Sequence, residues 1–244
     1  MIELKNITKK YGSLEAVKPI SWEINQGTLS CLVGPNGSGK STLIKIILGL
    51  NSPSSGTLTL SGKSKIMGYM PEVINFPDGS TAEFMLNAVK RLSNNKTKIT
   101  DEIVAVMGMQ DYMKKRIKKL SKGMQKKIGL LLAFANDPDF VILDEPFEGI
   151  DTIDRDKLLD FLGQKVASGK TIIISTHILH ELDKLTDNAL FLKNGDLVFH
   201  KNKLVDNWSL NKEVLPLELA EEVEEYLANQ SEPTISDLYR IIYR

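Results

Sequence analysis

The sequence predicts an α/β fold with a mostly parallel core sheet, an antiparallel β portion and a helical subdomain. Three observations predict it. Leu29 to Val33, Phe140 to Leu143 and Thr171 to Ile174 are short apolar runs of strand length. Between them, Leu43, Ile46, Ile47 and Leu50, and later Leu158, Leu159, Phe161, Leu162 and Val166, recur at helical spacing. Finally, Ala189 to Leu192 and Leu197 to Phe199 flank Asn194-Gly195, a pair suited to the tight turn of an antiparallel hairpin. Strands that alternate with helices build a parallel sheet covered on its faces.

In chain order, Ile2 to Ile7 and Ile20 to Ile24 read as strands, and Leu29 to Val33 runs directly into a glycine-rich turn. A helix follows the turn, and Asn51-Ser-Pro-Ser-Ser-Gly56 stops it. Thr57 to Leu60 resumes as strand, whereas Thr81 to Leu92 and Asp101 to Met107 carry helical periodicity, giving a helical insertion over about residues 75–135. The last stretch changes character. Glu213 to Glu225 is acidic, with Val214, Leu217, Val223, Tyr226 and Leu227 as an apolar stripe, so a terminal helix is expected. The expected organisation is one domain over residues 1–205 and a C-terminal helical extension over 206–244.

Composition narrows the function classes. A chain of 244 residues with 42% apolar and 25% charged residues can bury a sizeable core. Its formal net charge is zero, so the counterion release that drives non-specific nucleic-acid binding has little to work on, and no nucleic-acid partner is expected. The eight basic residues from Lys114 to Lys127 read as a solvated helix face. A membrane span needs about 20 consecutive apolar residues. The runs Ile44 to Leu50 and Ile128 to Phe134 are far shorter and read as buried helices. The first residues alternate apolar and polar instead of forming a signal peptide. Cys31, the single cysteine, sits among apolar neighbours and reads as packing.

The chemistry starts at the glycine-rich turn. Gly34, Pro35, Asn36, Gly37, Ser38, Gly39, Lys40 and Ser41 fit G-x-x-x-x-G-K-[ST], between the strand and the helix that this phosphate loop requires. Its glycines let the backbone wrap a phosphate, its amides and the helix's positive end meet the negative charge, and Lys40 reaches the β and γ phosphates. Ser41 is the Mg²⁺ ligand. A carboxylate must complete the metal's surroundings, and Asp144 stands at the end of the apolar run Phe140 to Leu143. Ligands of open parallel sheets gather at the carboxyl ends of strands, which places Asp144 for the metal. The adjacent Glu145 is then the general base that orients and deprotonates the attacking water.

The phosphate loop alone leaves kinases, GTPases and many other ATPases open. Leu120-Ser121-Lys122-Gly123-Met124, which opens an apolar helix, resembles the signature of the ATP-binding-cassette (ABC) family. The resemblance covers about residues 1–200. Tyr11-Gly12 is similar to the adenine-stacking loop, Met67 to Glu72 to the Q-loop region, Phe147 to Asp151 to the D-loop, and Ser175-Thr-His177 to the switch histidine. Details look most like the bacterial export branch, whose cassettes often carry Ser-Lys-Gly-Met.

What the resemblance implies is specific. The fold is a P-loop NTPase of ABC type, and the reaction is ATP plus water to ADP plus phosphate. Two cassettes, two copies of this chain or one with a related cassette, sandwich two ATP molecules. Ser121, Lys122, Gly123 and Met124 act in trans on the γ-phosphate, with Asp151 near the same boundary and His177 touching it in cis. Tyr11 stacks on adenine, and ATP contact extends to Thr42. A membrane-spanning permease carries the cargo, which puts the chain at the cytoplasmic face of a bacterial plasma membrane. Four positions depart from the usual pattern: Lys122 and Met124 stand where Gly and Gln are common, Glu72 where Gln is, and Phe147 where Thr or Ser is. Glu72 is a further metal candidate through a carboxylate oxygen and adds a charge that Gln lacks. His180 and His200 have no such context and read as surface or packing residues. Two other readings stay open: a soluble ABC-type ATPase remodelling a non-membrane assembly, and a nucleotide-dependent regulatory binding protein.

Overall fold

The computed structural model describes residues 1–61, 67–93, 99–177, 179–180, 182–202, 207–230 and 233–243. The expected boundary at residues 205 and 206 lies outside them. The chain divides into two compact units, residues 1–62 with 175–244, and residues 63–174.

In the first unit, β1 (Ile2–Tyr11) pairs antiparallel with β2 (Leu14–Ile24) and β4 (Ser55–Leu60), in the order β2-β1-β4. Strict alternation would put Ile2, Leu4 and Asn6 on the core face. Instead Ile2, Leu4 and Ile7 are buried, because the register shifts between Leu4 and Ile7, where Asn6 takes φ 50°. One irregularity thus turns the strand's second half over without losing the core face. Sequence patterning located the two ends of this hairpin and missed its middle.

Four further strands of this unit pair in the order β10-β9-β8-β3. They are β3 (Leu29–Val33), β8 (Asn188–Lys193), β9 (Asp196–Asn202) and β10 (Asn207–Leu210). β3 and β8 run parallel, and β8, β9 and β10 form an antiparallel ribbon. The expected hairpin is present. Asn194 and Gly195 hold φ 52° and 83°, the two left-handed positions its tight turn needs. Cys31 is buried, as expected, and burial pushes its thiol up to about 12. His180 is exposed and His200 is half-buried on β9, where loss of solvent lowers its pKa.

The C-terminal stretch holds two helices, not one. α6 (Leu217–Asn229) starts later than the acidic pattern suggests, because Pro216 takes the capping position before it. The expected stripe is corrected at two positions, Val214, which precedes the helix, and Leu217, which is 71% exposed; Val223 is buried, as is Ala220, and Tyr226 and Leu227 are half-buried. α7 (Ile235–Ile242), capped by Thr234, buries Ile235, Leu238, Ile241 and Ile242. Tyr243 closes it, stacking on Phe191 and donating its hydroxyl to the Leu192 carbonyl at 2.9 Å. The chain end is therefore tied to the strand beside β3.

The second unit contains β5 (Met67–Met70), α2 (Ala82–Ser93), α3 (Ile99–Val106), α4 (Lys122–Phe134), β6 (Phe140–Asp144) and α5 (Thr152–Ala167). β7 (Thr171–Thr176) belongs to it through Ile174, and the strand order is β7-β6-β5, with β5 and β6 parallel. Ser121 and Asp151 cap α4 and α5, each accepting the amide three residues on. Phe134 and Phe161 join the two helices edge to face. Asp154, one turn into α5, opposes burial with ion pairs to Lys127 and Lys157 that hold its carboxyl below the usual range.

β5 was not expected as a strand. Pairing with β6 makes it one, and its Gly68 is a poor strand former kept by close packing: a Cβ there would collide with the Ala133 carbonyl of α4. Gly68→Ala should therefore cost about 1–3 kcal/mol, read as a lower denaturant midpoint with an unchanged slope.

Candidate functional site

The phosphate loop leaves β3 at Val33 and enters α1 (Lys40–Ile47) through Gly39. Two of its glycines are required by close approach. A side chain on Gly34 would collide with the Leu192 carbonyl, and one on Gly39 would meet the Ala16 carbonyl at 2.6 Å. Gly37 has open space around it and is required only by its φ of 80°. The hairpin tip braces the loop from outside, Gly195 donating its amide to the Ser38 carbonyl at 3.0 Å and accepting from Lys18. Gly195 was not among the sequence-derived site residues.

Lys40 is buried, and its ammonium folds back over the loop, donating to the carbonyls of Gly34 at 2.6 Å and Pro35 at 3.1 Å. Pro35, Asn36, Gly37 and Ser41 are exposed, and Thr42 is half-buried one turn into the helix. The Ser38 hydroxyl is buried and has no hydrogen-bond partner among the described residues. Tyr11 stands at the end of β1 before Gly12 (φ 60°), with its ring 47% exposed, Lys9 over the ring at 5.1 Å and Asn51 donating to its hydroxyl. His177 is exposed in the bend after β7.

The second unit gathers the acids. Asp144 ends β6 and is 3% exposed; Glu145 follows it at 6% exposure with φ 49°. Glu72 is exposed two residues beyond β5. Its charge and that of Asp144 both act on Tyr69, which burial foremost pushes up to about 12. Between these segments lies Lys126 of α4, donating to the Glu72 carbonyl at 2.7 Å and the Glu145 carbonyl at 3.1 Å, with Glu148 at 4.0 Å. Burial lowers its pKa against the upward pull of Glu148, Glu72, Asp144 and Glu145. The expectation of a solvated basic face over 114–127 is thus corrected at Lys126 and Lys127, which turn inward to these carbonyls and to Asp154.

The signature residues sit at the exposed start of α4, Ser121 and Lys122 facing solvent and Gly123 and Met124 half-buried. A Cβ on Gly123 would strike the Gly149 carbonyl, so the signature meets the segment before Asp151 backbone to backbone. Gly123→Ala is expected to push these loops apart and lower ATP turnover about tenfold, with little change in melting temperature, because both loops are at the surface. Phe147 is fully buried, which accounts for an aromatic where a small hydroxyl residue is usual: here the position serves the core. Among the described residues no three or more metal-ligating side chains cluster, and no helix is long and apolar enough to cross a membrane.

The ABC transporter family model matches residues 17–148. An ABC transporter ATP-binding protein of Methanocaldococcus jannaschii is 31% identical, over 98% of this chain and 97% of the relative. A Nod factor export ATP-binding protein of Burkholderia orbicola is 30% identical, over 80% and 68%. The solved structure of an ATP-binding subunit of an ABC transporter superposes with a TM-score of 0.81 at 22% identity, covering all of both chains. On the matched residues, the near full-length relative and the shared fold, the chain belongs to the ABC transporter family.

Proposed function

We propose that the chain hydrolyses ATP to drive a membrane exporter, with Lys40 and the loop from Gly34 to Thr42 holding the phosphates and Glu145 activating water. The observation that carries the reading is a buried Asp144-Glu145 pair at a strand end, in a chain that also has an intact phosphate loop. Lys40 exchanges the carbonyls of Gly34 and Pro35 for phosphate oxygens when ATP arrives, and the Ser38 hydroxyl gains its missing partner. Tyr11 takes the adenine on its exposed ring. Glu145 takes the water's proton as its oxygen attacks the γ-phosphorus in line with the departing ADP oxygen. His177 orients the γ-phosphate from the same chain.

The residues fit Mg²⁺. A serine hydroxyl and carboxylates are hard oxygen donors, too few to cage the ion alone, and Mg²⁺ keeps water and phosphate oxygens as its other ligands. Ser41 and Asp144 would hold it, with Glu72 as a further oxygen donor. Bound there, it neutralises charge on the phosphates.

The signature Ser121, Lys122, Gly123 and Met124, with Asp151 beside them, would complete the site of a second cassette, so ATP joins two chains and hydrolysis releases them. The short helical unit after Glu72 would receive a permease segment at the cytoplasmic face of the plasma membrane. The Burkholderia relative's name supports export as the direction. Mild-detergent purification of the tagged Glu145→Gln chain with ATP and Mg²⁺ tests this. A stoichiometric polytopic membrane protein is expected; recovery of soluble partners alone, from well-solubilised membranes, would replace the exporter with a soluble remodelling ATPase.

A further inference from the structure

We propose that Lys126 is a positioning residue for hydrolysis, its ammonium fixing the backbone on which the general base stands. The proposal rests on Glu145 being that base. Four non-glycine residues in the described chain hold positive φ, namely Asn6, Asp137, Glu145 and Asn194. Three of them are Asn or Asp, whose short polar side chains ease the left-handed region. Glu145 has no such ease, so its surroundings must hold it there.

The Glu145 carbonyl receives a long turn bond from the Glu148 amide, at 3.4 Å, and the shorter bond from the Lys126 ammonium, at 3.1 Å. The same ammonium reaches the Glu72 carbonyl at 2.7 Å. One side chain therefore pins the segment after β6 to the segment after β5, and these carry the base and the acid that replaces the usual Gln. Its side chain is only 11% exposed, and four carboxylates, on Glu72, Asp144, Glu145 and Glu148, offset part of the burial of its charge. Lys126 lies one turn into the helix that Ser121 opens, so the arm that fixes the base in one site grows from the helix whose start presents the signature. Lys126 touches main-chain oxygens of the base segment, so its effect on chemistry runs through Glu145.

A double-mutant cycle tests this. Single-turnover hydrolysis by the purified chain with saturating Mg-ATP would be measured for wild type, Lys126→Met, Glu145→Gln and the double variant, with steady-state KM, ATP affinity and melting temperature alongside. Misplacing a reacting group by about 1 Å costs about 10²-fold. Lys126→Met is therefore expected to lower the rate by about 10- to 100-fold with KM within about threefold, and Lys126→Arg to recover most of it. In the Glu145→Gln background the same change should lower the rate by less than about twofold, because the group being positioned is gone. An equal loss in both backgrounds, or an unchanged rate in Lys126→Met, overturns the proposal. Full turnover by Glu145→Gln would instead remove the reading of Glu145 as base. Should Lys126→Met not fold, Lys126→Gln, which keeps an N–H donor, is judged by the same cycle.

Discussion

Glu145→Gln is expected to lower ATP turnover by about 10²- to 10⁴-fold while ATP affinity stays within about threefold. The amide keeps the size and shape of the carboxylate, and the left-handed backbone is no harder for Gln than for Glu. Lys126 binds the carbonyl of residue 145, not its side chain, so that anchor survives the change. What is lost is the ability to take a proton from water. Steady-state phosphate release and equilibrium ATP binding separate the two quantities. Because hydrolysis is the step proposed to release paired cassettes, the variant should also accumulate as an ATP-bound dimer, read by light scattering with and without ATP. Loss of binding together with turnover would mean that Glu145 serves the fold or the metal, and full turnover would move the base elsewhere, with Glu72 the next acid to examine through Glu72→Gln.

The parts of this site that the sequence makes legible are those whose chemistry is local in the chain. A phosphate loop needs particular residue types at adjacent positions, and from Gly34 to Ser41 each is present between the right elements. Asp144 and Glu145 follow an apolar strand, and Asn194-Gly195 sets its own turn. What stays hidden is decided by distant neighbours. Lys126 sits in a run of basic residues that looks like solvent-facing charge, and only the approach of the Glu72 and Glu145 carbonyls shows that it is internal. Spacing carries a signal: Lys126 lies four residues before Leu130, on the same face of a helix that is apolar in its second half. β5 is a strand through its pairing with the distant β6, and Phe147 is core through neighbours its own motif does not contain. At the C-terminus, Pro216 divides the acidic stretch, and the second helix carries its own local signals, a Thr234 cap followed by Ile235, Leu238, Ile241 and Ile242 at helical spacing.

Lys40→Met is expected to weaken ATP binding by roughly 30- to 1000-fold, about 2–4 kcal/mol, and ADP binding by much less. The asymmetry follows from reach. Lys40 serves the β and γ phosphates, and ADP lacks the second of these. A methionine keeps most of the apolar stem, so α1 should remain packed through Leu43, Ile44, Ile46 and Ile47. The ammonium bonds the loop carbonyls of Gly34 and Pro35, and phosphate oxygens would compete with them for it, so the measured loss is a difference between sets of bonds. Titration of the purified variant with ATP and ADP reads this difference directly. Equal weakening for both nucleotides would instead show that Lys40 acts by shaping the loop around Gly34 and Pro35, because a distorted loop penalises any phosphate. An intermediate substitution separates the cases further: Lys40→Arg retains the charge but replaces a compact ammonium with a planar fork, so it should restore loop shape more fully than γ-phosphate contact.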